Sequence, residues 1–250
     1  MDDLDENGIV QETEGTEETL GFWNQLVLVF SDPAAAFNRL VAHPRWVGAF
    51  LVVAVVTVAG TQATYPLIMQ MQRDAITQNP QLSEEQADLI MQRYERPLTP
   101  VWRVMTSAFQ VIGIAIWLVI MSAVLMFGGN ILLGGEAKFK TILAVATHSW
   151  LVTIPKMLLT APLMLAKGSA AVSTSLQVLI PADRWMTPLG VALGAFDLFS
   201  IWMVVLIIIG ISAAYRFSRA KSAAIVVSLY VFMVLVGVAF SALGRGLMAG

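Results

Sequence analysis

Long apolar runs separated by short charged interruptions dominate this chain. From Phe196 to Leu243, two apolar runs flank the basic stretch Arg216-Phe217-Ser218-Arg219-Ala220-Lys221. A helix of ~20 apolar residues crosses a ~30 Å hydrocarbon core, so these runs predict a transmembrane hairpin with a basic turn. Three earlier runs have the same character. The pattern predicts an all-α polytopic bundle with five spans, at about 46–69, 104–133, 141–166, 189–215 and 222–243. Gly134-Gly135 ends the second span, and Pro155 and Pro162 predict a kink in the third.

Shorter runs surround the spans. In LGFWNQLVLVF (20–30), Leu20, Trp23, Val27 and Phe30 repeat at helical spacing, and ~11 residues are too few to cross. Ser31-Asp32-Pro33 is a helix-start signal, a capping side chain followed by proline in the first turn. The helix that follows stops before Pro44 and carries Phe37, Leu40 and Val41 on one face. Two amphipathic interfacial helices over 20–45 are therefore expected before the first span, with Trp23, Phe30, Asp32, Pro33 and Phe37 as their key residues. Between spans one and two, Ser83 and Gln86 make a capping-box pattern ahead of Ala87, Ile90, Met91 and Tyr94. The stretch 167–190 is too short and too mixed to cross, and reads as an external or a re-entrant loop.

Composition agrees with a membrane protein. Hydrophobic residues make up 57% of the 250 and charged ones 13%, with a mean hydropathy of +0.74, beyond what a soluble domain needs. With no cysteine, disulfides, thiolate metal sites and cysteine nucleophiles are excluded. The net charge of −2 hides an asymmetry. Asp2, Asp3, Asp5, Glu6, Glu12, Glu14, Glu17 and Glu18 crowd the first residues with no basic partner, so residues 1–19 read as a disordered acidic tail.

Basic residues divide evenly between the two faces that five spans define. Lys138, Lys140, Arg216, Arg219 and Lys221 are nevertheless packed into two short turns. Dense charge in short loops marks the cytoplasmic side, which puts the amino terminus inside and Gly250 outside a bacterial inner membrane.

With the Asp-Pro helix start, the Gly-Gly turn and the basic hairpin in view, the chain resembles the Yip (Ypt-interacting-protein) family of five-span membrane proteins. FSDPAAAFNRLVAHPRW (30–46), GGEAKFKTILAVATHSWLVTIPKML (134–158) and DLFSIWMVVLIIIGISAAYRFSRAKSAAIVV (197–227) carry the resemblance. It implies five spans, a cytoplasmic amino terminus and a non-enzymatic role as a membrane scaffold or accessory subunit. Eukaryotic members associate with Rab-type GTPases. The aspartate–aromatic–Gly–Pro tract that precedes their spans is missing here. The chain is closer to the prokaryotic branch, and Rab binding is in question.

Ionisable groups inside spans are the chemical candidates, because burying them is costly. Counting from Lys140 and Tyr215 at ~1.5 Å per residue, His148 sits ~12 Å deep, Lys156 ~24 Å and Asp197 ~27 Å. Lys156 and Asp197 then fall at similar depth on successive antiparallel helices. They form an ion pair lining a polar cavity, or each snorkels to the interface. His148 makes a helix–helix hydrogen bond or serves a relay. Asn130 bonds across helices or ends one, and Gly190 and Gly194 allow close packing. There is no Walker loop, Gly-x-Ser-x-Gly, His-Glu-x-x-His or Rossmann glycine pattern, so no cofactor or metal is expected. The seven tryptophans are dispersed near span ends, which suits interfacial belts and not base stacking, and no nucleic acid is expected. Two functions follow: a scaffold whose partners are the lipid bilayer and other integral membrane proteins or further copies of itself, or a small channel or carrier using Asp197, Lys156 and His148.

Overall fold

The computed structural model describes residues 21–77, 83–94 and 99–248. The acidic tail expected at 1–19 lies outside them. Ten α-helices are described: α1 (Phe22–Ser31), α2 (Pro33–Ala42), α3 (Val47–Thr77), α4 (Glu84–Tyr94), α5 (Pro100–Met126), α6 (Phe139–Ser149), α7 (Thr153–Lys167), α8 (Pro188–Ala195), α9 (Leu198–Tyr215) and α10 (Arg219–Met248). Five stretches are long and apolar enough to cross a membrane: Val47–Asp74, Pro100–Leu132, Phe139–Lys167, Leu198–Tyr215 and Arg219–Gly244. The expected all-α, five-span bundle is the architecture found.

Capping chemistry sets several boundaries. The Asp32 carboxylate accepts from the Ala35 amide at 3.0 Å, with Pro33 opening α2. Ser83 and Gln86 close their capping box reciprocally, at 3.0 and 3.2 Å. Span two ends in a π-helical turn, Phe127–Leu132, and the chain reverses at Gly134, whose φ of 65° suits a residue without Cβ. In span three a 3₁₀ turn, Trp150–Val152, separates α6 from α7. Pro155 has no N–H to offer the carbonyl four residues back, so the helix tightens just ahead of it. Thr153 Oγ1 takes up the Trp150 carbonyl at 2.7 Å.

Span four departs from expectation. It starts at Leu198, not 189, because Phe196 and Asp197 leave helical geometry and split off the short helix α8. The Asp197 side chain does what a carboxylate at a helix start does: it accepts from the Ser200 amide at 2.9 Å. The preceding stretch is a folded cap with two 3₁₀ turns, Leu176–Leu179 and Ala182–Arg184, and does not cross. It is tied down by Leu176 N donating to Phe196 O at 3.2 Å and by Trp185 Nε1 donating to Gln177 O at 2.9 Å.

The two helices before span one pack against the spans. They form an antiparallel hairpin that enters the bundle from the end carrying the basic turns. The Phe22 ring packs on Gly48 at the start of α3. Deeper in, Phe37 packs against Gly210 of α9. Near the tip, Phe30 stands edge-on to Trp202, with ring centroids 5.4 Å apart. Gly210 and Trp202 lie ~7 and ~20 Å along α9 from Tyr215, so the hairpin reaches at least halfway through a ~30 Å core. Leu26, Val29, Ala36, Phe37 and Leu40 are buried with Ala49, Val53, Val145, Leu151 and Leu206 in one cluster. Each short helix has one apolar stripe that an interface would bury only in part. Paired, and packed against α3, α6 and α9, the Leu26 and Val29 face of α1 and the Phe37 and Leu40 face of α2 are covered, whereas Trp23 and Val27 of the stripe expected for the first helix stay exposed. Gln25 Nε2, donating to Ala36 O at 3.0 Å, ties the two helices together.

Candidate functional site

The Asp197 carboxylate accepts four hydrogen bonds. It is 3% exposed at the mouth of α9. Its Oδ1 accepts from Lys156 Nζ at 3.2 Å, from the Ser200 amide at 2.9 Å and from Ser200 Oγ at 3.2 Å. Its Oδ2 accepts from Thr174 Oγ1. Burial alone would raise this carboxyl. The Thr174 hydroxyl, the Ser200 amide and Lys156 outweigh it and hold the carboxyl below its ordinary value. Lys156 reaches it from α7 with its own side chain 41% exposed, so the pair has one foot in a solvated or interfacial layer. Four donors converging on one carboxylate make a clamp among α7, the 168–197 cap and α9. Both oxygens are engaged, which leaves little capacity to bind or carry a further ion.

His148 lies elsewhere. It is 3% exposed on α6 and its Nδ1 donates to the Ala144 carbonyl, one turn back, at 2.9 Å. That bond is within its own helix, not across to another. Thr147 and Ser149 likewise bond back to Leu143 and Val145, at 2.7 and 2.9 Å. Between His148 and Lys156 stand Leu151 and Val152, at 0% and 2% exposure. The three ionisable candidates are thus not one site. Lys156 and Asp197 share the capped end, and His148 faces the basic end across an apolar layer.

Asn130 does not bond to a neighbouring helix. Its amide pairs both ways with the Ala137 backbone, at 3.2 and 3.3 Å, and so staples the Gly-Gly turn. Gly190 and Gly194 pack on the cap, against the backbone at Arg184 and Trp185 and the side chain of Gln177. Of the hairpin residues, Trp23 is 68% exposed and Phe37 fully buried. Among the described residues no group of three or more His, Asp or Glu is arranged to hold a metal ion.

Two polar links went unread in the sequence. Gln62 Nε2 donates to Ser107 Oγ at 3.0 Å, and Gln110 Nε2 donates to Thr61 Oγ1 at 2.8 Å. Both join α3 to α5. The signal was there: a glutamine inside each apolar run, where an amide needs a partner.

A family model described as the Yip1 domain matches residues 27–241 of the chain. The chain belongs to the Yip1 domain family. The match includes most of the hairpin, the Asp-Pro start and all but the last residues of span five. Neither the curated proteins nor the solved structures contain a match to the chain. For this Yip1-domain protein the five crossing helices and the family together establish an integral membrane protein.

Proposed function

We propose that this Yip1-domain protein is a non-enzymatic membrane scaffold or accessory subunit that binds other integral membrane proteins. On this reading it sits in a bacterial cytoplasmic membrane, with its amino terminus inside and Gly250 outside, and belongs to the prokaryotic branch of its family. The observation that carries the reading is Asp32. It occupies the tip of the inserted hairpin, ~15 Å from the basic end by helix rise, and its side chain is exposed. One oxygen caps Ala35, but the charge remains. A carboxylate facing hydrocarbon at that depth is costly, so a polar or cationic group of another protein covers it in the membrane. The family supports the same role.

The test is native mass measurement after gentle detergent extraction, comparing wild type with Asp32→Asn. Asparagine caps a helix about as well as aspartate, so the variant removes the charge and keeps the cap. The reading expects a stoichiometric membrane-protein partner on wild type and its loss from the variant. A partner-free monomer that conducts ions in liposomes supports the channel or carrier instead.

A further inference from the structure

A cavity of about 780 Å³ opens at the basic end, where the hairpin, the loop into α3 and the start of α6 meet. That volume is within the usual ~300–1,000 Å³ of small-molecule sites. Arg39 from the last turn of α2, Arg45 from the loop and Lys140 from the first turn of α6 line it, and among the described residues no acidic one does. Arg39 and Arg45 are close in the chain and folding brings Lys140 to them; three cations gathered there make a site for an anion. The inner wall holds His148, 3% exposed. Since a carbonyl can only accept, the bond to Ala144 puts the ring proton on Nδ1 and leaves Nε2 an acceptor. Nε2 has no partner among the described residues. A neutral acceptor at the back of a cationic mouth fits a ligand with a phosphate in front and a hydroxyl beyond it.

One lip of the cavity continues into the membrane. Val47 lines the cavity, and Val47, Leu51 and Val55 repeat every four residues down the exposed face of α3, at 51%, 55% and 67% exposure. An acyl chain whose headgroup sat in the cavity would lie along this ridge. A soluble phosphate has no use for it.

We propose that the cavity binds the headgroup of an anionic phospholipid whose phosphate bears a hydroxylated alcohol, of the phosphatidylglycerol kind. Arg39, Arg45 and Lys140 take the phosphate, as basic pockets between membrane helices do. His148 Nε2 accepts from a headgroup hydroxyl, and the α3 ridge carries a chain. The site is independent of the partner proposed at Asp32.

The full-length protein in nanodiscs of equal phosphatidylglycerol and phosphatidylcholine is released for native mass measurement, and retained lipids are counted. We expect phosphatidylglycerol retained at least tenfold over phosphatidylcholine. The triple variant Arg39→Gln, Arg45→Gln, Lys140→Gln should lose that preference. A control with equal charge loss outside the cavity, Lys138→Gln, Arg216→Gln, Arg219→Gln, should keep it. His148→Phe should lower retention of phosphatidylglycerol but not of phosphatidic acid, which lacks the alcohol. Equal loss in both triple variants would mean diffuse surface charge and overturn the site. Soluble glycerol phosphate binding as tightly as the lipid, in phosphatidylcholine discs, would overturn the lipid source. Melting curves show whether each variant is folded. If the cavity triple is not, Lys140→Gln alone, with a severalfold loss expected, decides the matter.

Discussion

Phe37 and Gly210 touch across the hairpin and span four. A Cβ on Gly210 would run into Val145 Cγ1 and lie 3.1 Å from Phe37 Cδ1, both belonging to fully buried residues. The missing side chain at Gly210 thus lets both α6, through Val145, and the hairpin, through Phe37, pack closely on α9. Gly210→Ala should destabilise the protein by about 1–3 kcal/mol, the usual cost of overfilling a packed core. Thermal melts in detergent measure it. Adding Val145→Ala should recover part of the loss, because that methyl is the nearer obstacle.

The Lys156–Asp197 pair predicts unequal effects. Lys156 is 41% exposed, so Lys156→Met should cost no more than about 1 kcal/mol, as for exposed pairs. Asp197→Asn also weakens the bonds from Thr174 and Ser200 and should cost more, about 1–3 kcal/mol. The double variant should be no less stable than Asp197→Asn alone. Additive losses in a melt series would mean the pair contributes no coupling.

Topology follows from labelling, since the chain has no cysteine of its own. Ser218 and Ser83 fall at opposite ends of the bundle. Cysteine at Ser218 should react with an impermeant reagent only from the cytoplasm, and cysteine at Ser83 only from outside. The opposite pattern would invert the protein, and same-side labelling would change the number of crossings.

What the sequence showed and what it hid divide along a physical line. Five apolar runs, the Asp32-Pro33 start, the Ser83–Gln86 box and the break at Gly134-Gly135 are local signals, and all were legible. The depth of the hairpin was not. An apolar run of ~11 residues is ambiguous alone, because too short to cross is equally true of a helix lying flat and of half a re-entrant pair. Only the fit of Phe37 on Gly210 and of Phe30 on Trp202 separates them, and both contacts join residues far apart in the chain. Asp197 was legible as a carboxylate within reach of Lys156, and the two do meet, at 3.2 Å; its part in starting α9 was not. It is embedded in apolar sequence that reads as one continuous span; it starts α9 by accepting from the Ser200 amide, and the Thr174 bond comes from a distant segment. The cavity at the basic end joins Arg39 and Arg45 to Lys140, far along the chain, and no local pattern announces that meeting.

The inserted hairpin is the claim on which the reading of Asp32 depends, and its depth can be measured. A nitroxide on cysteine at Ser31, at the tip, is compared with one at Ala42, at the mouth, in nanodiscs, by relaxation with an aqueous nickel complex. The account predicts strong relaxation at Ala42 and almost none at Ser31, held ~15 Å from the basic end. Equal nickel access at the two positions would place both helices at the membrane surface and contradict it.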